Sequence, residues 1–327
     1  MNQEEQDPMD ARRVGLTSDA AGYRHPAYRD LADGRLTAFG PDDQRGLLNL
    51  LTPERVIRAS QLVKTGAVFG LNAPLAYPDP HPLSGHPTLA HRKPPTHVVH
   101  RFPDGRDDYY DRLYPQYSTQ WDGFLHIWDD VNECFYNGNT DESIGVDAWA
   151  DGGIVGRGVL LDVARWAAAE DRPIDWRTRH AITVSDLERT AEAQGVTIDE
   201  GTILILRTGW EAGWSAADPA DRERIARAPE FESPGVEASL AMVERLWDWG
   251  VAAVAADNMA FEVWPLGDYT IHVDLLARLG MPIGELWQLE ALSAACAAES
   301  RYEFLFTSAP LNAPGGSGTP ANALAIL

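Results

Sequence analysis

The stretch YSTQWDGFLHIWDD, residues 117–130, sets polar side chains that could perform acid–base or metal chemistry among aromatic residues. Gln120 and Asp122 are two residues apart, and His126 follows four residues after Asp122. If the chain passes from strand to helix here, Gln120 and Asp122 project from one face and His126 returns over them. The stretch is therefore a candidate wall of an active site. The alternative is a buried aromatic strand with incidental polar residues.

A second candidate pair lies far downstream. His272 begins the predicted helix HVDLLARLG, and Glu285 begins the next predicted element, GELWQLEAL. Imidazole and carboxylate groups are ligands of both Zn²⁺ and Mn²⁺, so the two segments together could supply two histidines and two carboxylates to such an ion. The structural alternative is that His272 bonds to the backbone at a helix end, and that Glu285 is a first-turn glutamate favoured by the helix dipole.

Further histidines crowd the segment 78–106, which never runs more than a few residues without His, Pro or Gly. Their spacings match neither a helical pair nor a strand pair throughout. We predict a long irregular excursion of the kind that forms lids or oligomer arms, with exposed histidines that contact another subunit. His97 and His100 are also candidates for a substrate contact. The histidines of this segment are His81, His86, His91, His97 and His100.

Several common catalytic motifs are absent from the sequence. There is no G-x-x-x-x-G-K-[ST], no G-x-G-x-x-G after a predicted strand, no G-x-S-x-G and no H-E-x-x-H. Phosphate-cradling loops and the serine nucleophile of α/β-hydrolases therefore lack support. Cys134 and Cys296 are the only cysteines, too few for a disulfide scaffold or a cysteine-rich zinc site.

The charge balance argues against polyanionic partners. Lys and Arg total 27 against 49 Asp and Glu, which gives a formal net charge of -22. A field of this sign repels phosphate backbones and anionic lipid. The start MNQEEQDPMD lacks the apolar region of a secretory signal, and no run of about 18 apolar residues occurs. We expect a soluble cytoplasmic protein that acts on a small molecule, with no nucleic-acid or membrane partner.

Predicted strands and helices alternate along most of the chain, which indicates an α/β fold with a mixed sheet. Residues 1–25 lack periodicity and are interpreted as a flexible arm, and residues 26–327 as a single domain. One predicted helix ends at Gly66, and another starts with a capping box from Ser185 to Glu188. Strands are predicted over 67–75, 156–163, 201–210, 251–258 and 302–311. Helices are predicted over 52–66, 185–195, 236–250 and 272–280.

The segment QYSTQWDGFLH, residues 116–126, lies without a gap over the motif H-x-G-T-H-x-D-x-P-x-H. This motif belongs to the cyclase family of metal-dependent hydrolases, which includes kynurenine formamidase and isatin hydrolase. The sequence resembles a longer subgroup of that family, also through GRGVLLDV, LRTGW, VAAVAADN and PLNAPGGSGTPANALAI. The resemblance implies a swivelling β/β/α fold, in which helices flank a mixed sheet, and a homo-oligomer, dimer or tetramer, with a metal-centred hydrolytic site.

The resemblance also assigns roles to single residues. Asp122 matches the metal-binding Asp of the motif, and His126 matches its last His, the acid/base candidate of the family. His272 and Glu285 match the later His and Glu that complete the metal site. The sequence departs from the motif where Gln116 and Gln120 replace its first two histidines and Phe124 replaces its proline.

An amide oxygen is a poorer ligand for Zn²⁺ than imidazole and suits harder ions such as Mn²⁺. We therefore expect one divalent ion, Mn²⁺ or Zn²⁺, held by Asp122, His272 and Glu285 with help from Gln120. Loss of the metal, which would leave a catalytically silent protein that binds a small molecule, is the alternative.

The expected reaction is hydrolysis of an amide-type C–N bond in a formamide, cyclic imide or lactam-like molecule, with His126 as general acid and base. Gln116, Trp121, Phe124 and Trp128 are the expected substrate-binding residues, and core packing is the alternative for the aromatic ones. Hydrolysis of a lactone or ester would use the same groups. A metal-dependent lyase or cyclising reaction is a further alternative.

Overall fold

The computed structural model describes residues 23–86, 89–141, 143–228 and 231–327. The predicted arm, residues 1–25, lies outside these ranges except for its last three residues. At that point the chain contacts helix-bearing residues of the later sequence, because the Nε2 atom of His25 is hydrogen-bonded to the carbonyl oxygen of Trp247 at 2.6 Å.

Within the described ranges, a nine-stranded mixed sheet forms the centre of the molecule. In order across the sheet its strands are β1 (Val68–Gly70), β13 (Ala323–Ile326), β11 (Glu303–Ser308), β5 (Ile154–Leu161), β7 (Ile203–Leu206), β9 (Ala253–Ala256), β10 (Ile283–Glu285), β4 (Gln120–Asp122) and β12 (Gly318–Pro320). Strands β5, β7, β9 and β10 run parallel to one another, and the other pairings are antiparallel. Two small ribbons pair β2 (Thr96–Phe102) with β3 (Gly105–Asp111) and β6 (Ala181–Ile182) with β8 (Gly235–Val236).

Helices flank this sheet, as the predicted fold class requires. The α-helices are α1 (Pro53–Ser60), α2 (Asp147–Ala150), α3 (Val163–Ala169), α4 (Val184–Gln194), α5 (Trp210–Ala216), α6 (Pro219–Ala226), α7 (Leu240–Asp248) and α8 (Glu290–Glu299). A π-helix covers Val273–Arg278, and short 3-10 helices cover Tyr28–Asp30, Ala32–Gly34, Gly46–Leu50 and Tyr136–Gly138. No helix within the described ranges has the length and apolar character that a bilayer crossing needs.

The apolar core follows the hydrophobic pattern of the sequence. Every residue of β7 and β9 is buried, as their unbroken apolar runs predict for parallel strands covered on both faces. A second apolar cluster surrounds the stacked rings of Trp210 and Trp214, whose centroids are 5.5 Å apart. This cluster includes Leu83, Met259 and Trp264, which also line the candidate site described below.

Several predicted boundaries differ from the structure. Helix α1 starts at the predicted Thr52 cap but ends at Ser60, and Gly66 instead adopts a positive φ of 72° in the loop before β1. The N-cap of helix α4 lies two residues earlier than predicted, because the capping box joins Thr183 to Asp186 and not Ser185 to Glu188. The sequence T-V-S-D offers the same capping geometry as the predicted pair, and it lies closer to the preceding strand.

The predicted irregular excursion of residues 78–106 is wrong in its second half. Strands β2 and β3 form a hairpin there, with Phe102 paired to Gly105 across a two-residue turn. Aromatic and β-branched residues on both sides of the P-D-G sequence are the hairpin signal that the high content of His and Pro obscured. The first half, from Pro78 to His86 and from Leu89 to Pro95, is irregular as predicted.

Candidate metal centre

Strand pairing brings the two predicted segments together. Strands β4 and β10 are antiparallel, with Gln120 opposite Glu285 and Asp122 opposite Ile283. Gln120 and Asp122 lie on one face of β4, as predicted, since alternate residues of a strand share a face. Glu285 ends strand β10, so the alternative in which it is a first-turn glutamate of a helix is wrong; α8 begins only at Glu290.

His272 completes a compact group with two of these carboxylates. It precedes the π-helix Val273–Arg278, and its Nε2 atom lies 3.2 Å from the Oε1 atom of Glu285. One ligand atom each from Asp122, His272 and Glu285 lies within 4.8 Å of the others, and all three residues are buried. The structure therefore gathers the imidazole and two carboxylates that the sequence singled out, in a geometry that could hold a metal ion.

Glu262 is a member of the site that the sequence did not reveal. Its Oε1 atom lies 2.6 Å from the Nδ1 atom of His272, and the carboxylate also accepts hydrogen bonds from the Ile271 amide, at 3.1 Å, and from the Thr270 hydroxyl. A carboxylate on the far ring nitrogen fixes the tautomer and orientation of a metal-binding histidine. The one signal in the sequence is an acidic residue within the apolar stretch NMAFEVW, which is unusual unless the acid is paired.

Two buried acceptors of the site lack a hydrogen-bond donor among the described residues. They are the Oδ2 atom of Asp122 and the Oε1 atom of Gln120. The amide nitrogen of Gln120 donates to the Oε2 atom of Glu285 at 2.8 Å and to the Oδ1 atom of Asp122 at 3.4 Å. An unsatisfied buried carboxylate oxygen is costly, and a cation would remove that cost. The residues present thus fit a divalent ion.

Charged groups are concentrated in the site, and they shift the pKa values of Glu285 and His272. Burial and the charge of Asp122 raise the pKa of Glu285 to about 7. Burial alone lowers the pKa of His272, but hydrogen bonds to Glu262 and Glu285 outweigh it and raise that pKa to about 10. Without a cation, a proton on His272 therefore offsets part of the negative charge.

His126 lies beside this group, as predicted. Its Nε2 atom is 3.8 Å from the Oδ1 atom of Asp122. Burial and the positive charges of Arg92 and His272 lower the pKa of His126, against the opposing effect of Asp122. The lowered pKa favours a neutral imidazole near pH 7, which is the form that can accept a proton.

A cavity of about 410 Å³ opens onto these residues. His126, His272 and Glu285 contribute to its lining, and most of the remaining lining is apolar. The volume falls in the range of about 300–1,000 Å³ that is common for small-molecule sites. The residues that complete the lining are Leu83, His86, Leu89, Arg92, Ile127, Met259, Ala260, Trp264, Leu266 and Thr270.

The predicted aromatic lining is not found among the residues that line this cavity. Trp121 is fully buried in the core, where its ring packs edge-on against Trp287 and its Nε1 atom donates to the Ser308 hydroxyl at 3.0 Å. The alternation of β4 explains this, because a residue between Gln120 and Asp122 must project from the opposite face.

Phe124 and Trp128 also make other contacts. Phe124 is buried against Tyr136 and Trp149, with ring centroids 4.6 Å and 5.0 Å away. Trp128 packs edge-on against Phe135 at 4.9 Å. Core packing, the alternative to substrate binding, therefore describes Phe124, whereas Trp128 is only partly buried.

The remaining predicted substrate contacts lie elsewhere in the described structure. The amide nitrogen of Gln116 donates to the Ser317 hydroxyl at 3.2 Å. His97 and His100 lie on the exposed β2–β3 hairpin, stacked on Tyr110 and Tyr109 at 4.7 Å and 5.6 Å.

Two other histidines of the same segment lie in the interior or at the cavity. His86 lines the cavity, and its ring centroid is 5.3 Å from that of Trp264. His81 is buried rather than exposed as predicted, and burial and Arg92 lower its pKa to about 3.

Comparison with known proteins agrees with the resemblance noted in the sequence. Residues 72–263 match the family model "Cyclase: Putative cyclase". A crystal structure described as a novel cyclase shares 31% identity and superposes with a TM-score of 0.76, covering 88% of this chain and 98% of that one. No curated protein sequence matches the chain.

Two more distant structures share the fold. Isatin hydrolase A from Labrenzia aggregata, bound to benzyl benzoate, is 19% identical with a TM-score of 0.59, covering 82% of this chain and 94% of that one. Isatin hydrolase A from Ralstonia solanacearum is 18% identical with a TM-score of 0.56, covering 79% of this chain and 91% of that one.

Proposed function

The chain belongs to the cyclase family, and we propose that it is a metal-dependent hydrolase of an amide-type C–N bond in a small molecule. The observation that carries this proposal is the convergence of Asp122, His272 and Glu285, with an unpartnered Asp122 oxygen, beside a cavity of about 410 Å³. The substrates we favour are formamides, cyclic imides and lactam-like amides.

The protein would hold one divalent ion, Mn²⁺ or Zn²⁺, with the side chains of Asp122, His272 and Glu285. When bound, such an ion polarises a carbonyl group and lowers the pKa of a water molecule. Glu262 keeps the Nε2 atom of His272 directed at the site through its own bond to Nδ1. Gln120 donates to both carboxylates and limits their rotation.

His126 would carry the proton. Its neutral imidazole accepts a proton from the attacking water, and the resulting imidazolium donates it to the nitrogen that leaves when the C–N bond breaks. The partner for the charged state is present, since Asp122 lies 3.8 Å from Nε2. The apolar walls of the cavity would exclude bulk water from the reacting atoms.

A hydrolysis screen tests this proposal. Formanilides, cyclic imides and lactones are incubated with the protein, and Mn²⁺ and Zn²⁺ are supplied in parallel. We expect turnover of at least one amide-type substrate that depends on added metal and is lost on chelation. Turnover of lactones alone would replace the amide assignment with an ester one. The lack of any metal-dependent hydrolysis would overturn the proposal.

The role of His126 has its own test. We expect His126→Ala to keep the metal affinity of the wild-type protein and to lower kcat by about 10²–10⁴-fold, the usual contribution of a general acid–base group. His91→Ala, in the irregular segment that contributes His86 and Arg92 to the cavity lining, serves as a control that leaves the acid–base group in place. Full activity of His126→Ala on a substrate from the screen would show that another group moves the proton.

A ligand-binding protein without metal is the second candidate function. It is favoured by the Gln120 amide, which donates to two carboxylates where the family motif has an imidazole, and by the raised pKa of His272. A proton on His272 and the Gln120 amide together offset part of the charge that a cation would neutralise. Binding of small molecules with no metal uptake would support this candidate.

We also propose that residues 26–327 form a single domain that assembles into a homo-oligomer. The β2–β3 hairpin supports assembly, because an isolated two-stranded ribbon is marginally stable in water. In the described chain this ribbon exposes Phe102, Tyr109 and Tyr110. A partner subunit is the kind of surface that would cover them.

A further inference from the structure

Arg92 is the only Lys or Arg among the described residues that line the cavity. Its Nη1 atom donates to the carbonyl oxygen of Gln116 at 3.0 Å, which fixes one side of the guanidinium. No carboxylate of the described chain lies within ion-pair distance of it. Its other N–H groups therefore have no charged acceptor within the described protein.

Two other partly buried arginines, Arg207 and Arg278, have carboxylate partners, whereas Arg45 donates to the backbone carbonyl oxygens of Ala148 and Gly153. Arg207 donates to Glu290 and Asp162, at 2.6 Å and 2.8 Å. Arg278 donates to Asp129 and Asp274, at 2.7 Å and 2.8 Å. An arginine at a cavity without a carboxylate partner is suited to a ligand that brings its own anion.

The residues around Arg92 indicate what kind of ligand would bind beside it. The cavity wall is mostly apolar, with Leu83, Met259 and Trp264 drawn from the second core cluster. Such a wall suits a flat or aliphatic body, and the guanidinium of Arg92 suits an anionic group on that body. His126 lines the same cavity, so a ligand bound to Arg92 shares that space with the proposed proton carrier.

We propose that Arg92 binds a carboxylate of the substrate, so that the substrate class is an apolar or aromatic amide that carries a carboxylate group. The amide part of this statement rests on the proposed function. The carboxylate part rests on the cavity and can be tested by binding alone. Arg92 is then the residue that determines preference for acidic over neutral substrates.

The binding test compares benzoate with benzamide, which match in size and differ in charge. Calorimetric titrations use the full chain as purified, in about 0.1 M salt so that surface charges are screened. We expect benzoate to bind at least about tenfold more tightly than benzamide, since a charge-assisted pair exceeds a neutral hydrogen bond by about that factor. Arg92→Gln should remove this preference and leave benzamide affinity within about twofold.

Two further variants make the outcome decisive. Lys93→Gln removes the same charge from the neighbouring exposed residue and should change neither affinity. Arg92→Lys keeps the charge and should retain part of the preference, which a variant with a collapsed cavity would not do. Equal affinities for benzoate in the wild-type protein and Arg92→Gln would overturn the proposal, as would a parallel loss of both ligands. Any affinity of benzoate for a bound metal is common to all variants and cancels in the comparison.

Turnover then separates this proposal from the proposed function. The substrates are 2-, 3- and 4-formamidobenzoate, with formanilide as their neutral counterpart. We expect kcat/KM for one acidic isomer to exceed that for formanilide by at least about tenfold, and Arg92→Gln to abolish the difference through KM. If no formamide is hydrolysed with either metal, formamides are excluded as substrates of the proposed function, and the benzoate result still decides the role of Arg92. An equal fall in kcat on all substrates would instead assign Arg92 to the transition state and contradict substrate recognition.

Discussion

His272 has a different carboxylate partner on each ring nitrogen, and this arrangement defines the centre at the scale of single residues. Glu262 takes the Nδ1 side at 2.6 Å, and Glu285 lies 3.2 Å from the Nε2 side. The Nε2 atom and the free oxygen of Asp122 are then the groups that a cation can use. Glu262 lies outside the predicted ligand set, yet its bond to Nδ1 controls the tautomer and orientation of the His272 ring.

Replacing Glu262 tests that control. Glu262→Gln keeps the size of the side chain but removes its charge, and we expect the dissociation constant for Mn²⁺ or Zn²⁺ to rise by about 10–100-fold. Glu244→Gln, on the exposed surface of α7, is the matched control and should leave the constant unchanged. Calorimetric titration of the two chelator-treated variants with Mn²⁺ or Zn²⁺ measures both dissociation constants. An unchanged affinity in Glu262→Gln would mean that His272 does not depend on its Nδ1 partner.

The protonation of His272 predicts how metal and pH act together on stability. Because its folded pKa is raised to about 10 from an ordinary value of 6.5, the stabilisation it gives the metal-free protein is complete below about pH 6.5. That stabilisation is lost as the pH rises toward 10. A cation replaces the proton, so we expect added Mn²⁺ to raise Tm by at least about 3 °C more at about pH 9 than at about pH 6.5. Scanning calorimetry measures Tm with and without Mn²⁺. A Mn²⁺-induced rise in Tm that is equal at both pH values would contradict the competition between proton and metal.

At the scale of elements, the centre depends on three connections that lie far apart in sequence. The antiparallel pairing of β4 with β10 sets Gln120 opposite Glu285. The π-helix Val273–Arg278 starts directly after His272, and Arg278 ties that helix to the turn that follows His126. The ion pair of Arg278 with Asp129 therefore links the π-helix that follows His272 to the segment that carries Asp122 and His126.

We expect Asp129→Asn to weaken this link. Hydrogen bonds and charge from Arg278 hold the pKa of Asp129 well below its usual range, so the carboxylate stabilises the fold above about pH 4. The gain is lost as the pH falls below that value. Removing the charge from one side of this pair should lower the free energy of unfolding by about 1.5–3 kcal/mol at neutral pH, the range of a hydrogen bond to a charged group.

The matched control for this change is Asp130→Asn, at the exposed neighbouring residue. Urea unfolding at a series of pH values provides the measurement. The stabilities of the wild-type protein and Asp129→Asn should converge at low pH, because the wild-type carboxylate is then protonated. A difference that persists undiminished at low pH would show that packing, and not the charge of Asp129, gives the stability.

At the scale of the whole molecule, the parts of the fold that follow from local pattern could be predicted. Unbroken apolar runs identified the buried parallel strands β7 and β9, and alternation placed Gln120 and Asp122 on one face. The same alternation also predicts that Trp121 projects into the core and not into the cavity. The hairpin of β2 and β3 was recoverable from its turn sequence.

Other parts depend on tertiary contacts that no local pattern contains. Phe124 packs against Tyr136 and Trp149, which come from segments with no visible link to it in the sequence. Glu262 reaches His272 across ten residues through a loop whose path is set by the surrounding core. Arg92 reaches the cavity from an irregular segment. Loop residues of this kind acquire their surroundings only when the sheet and its helices have formed.

The central claim is that Asp122, His272 and Glu285 hold a divalent cation, and metal titration tests it most directly. Chelator-treated wild-type protein and Asp122→Ala are titrated with Mn²⁺ in a calorimeter, and folding of both is checked by circular dichroism. We predict one ion bound per wild-type chain and no detectable binding to folded Asp122→Ala. A wild-type protein that binds no ion, or an Asp122→Ala variant that binds it equally well, would contradict the claim.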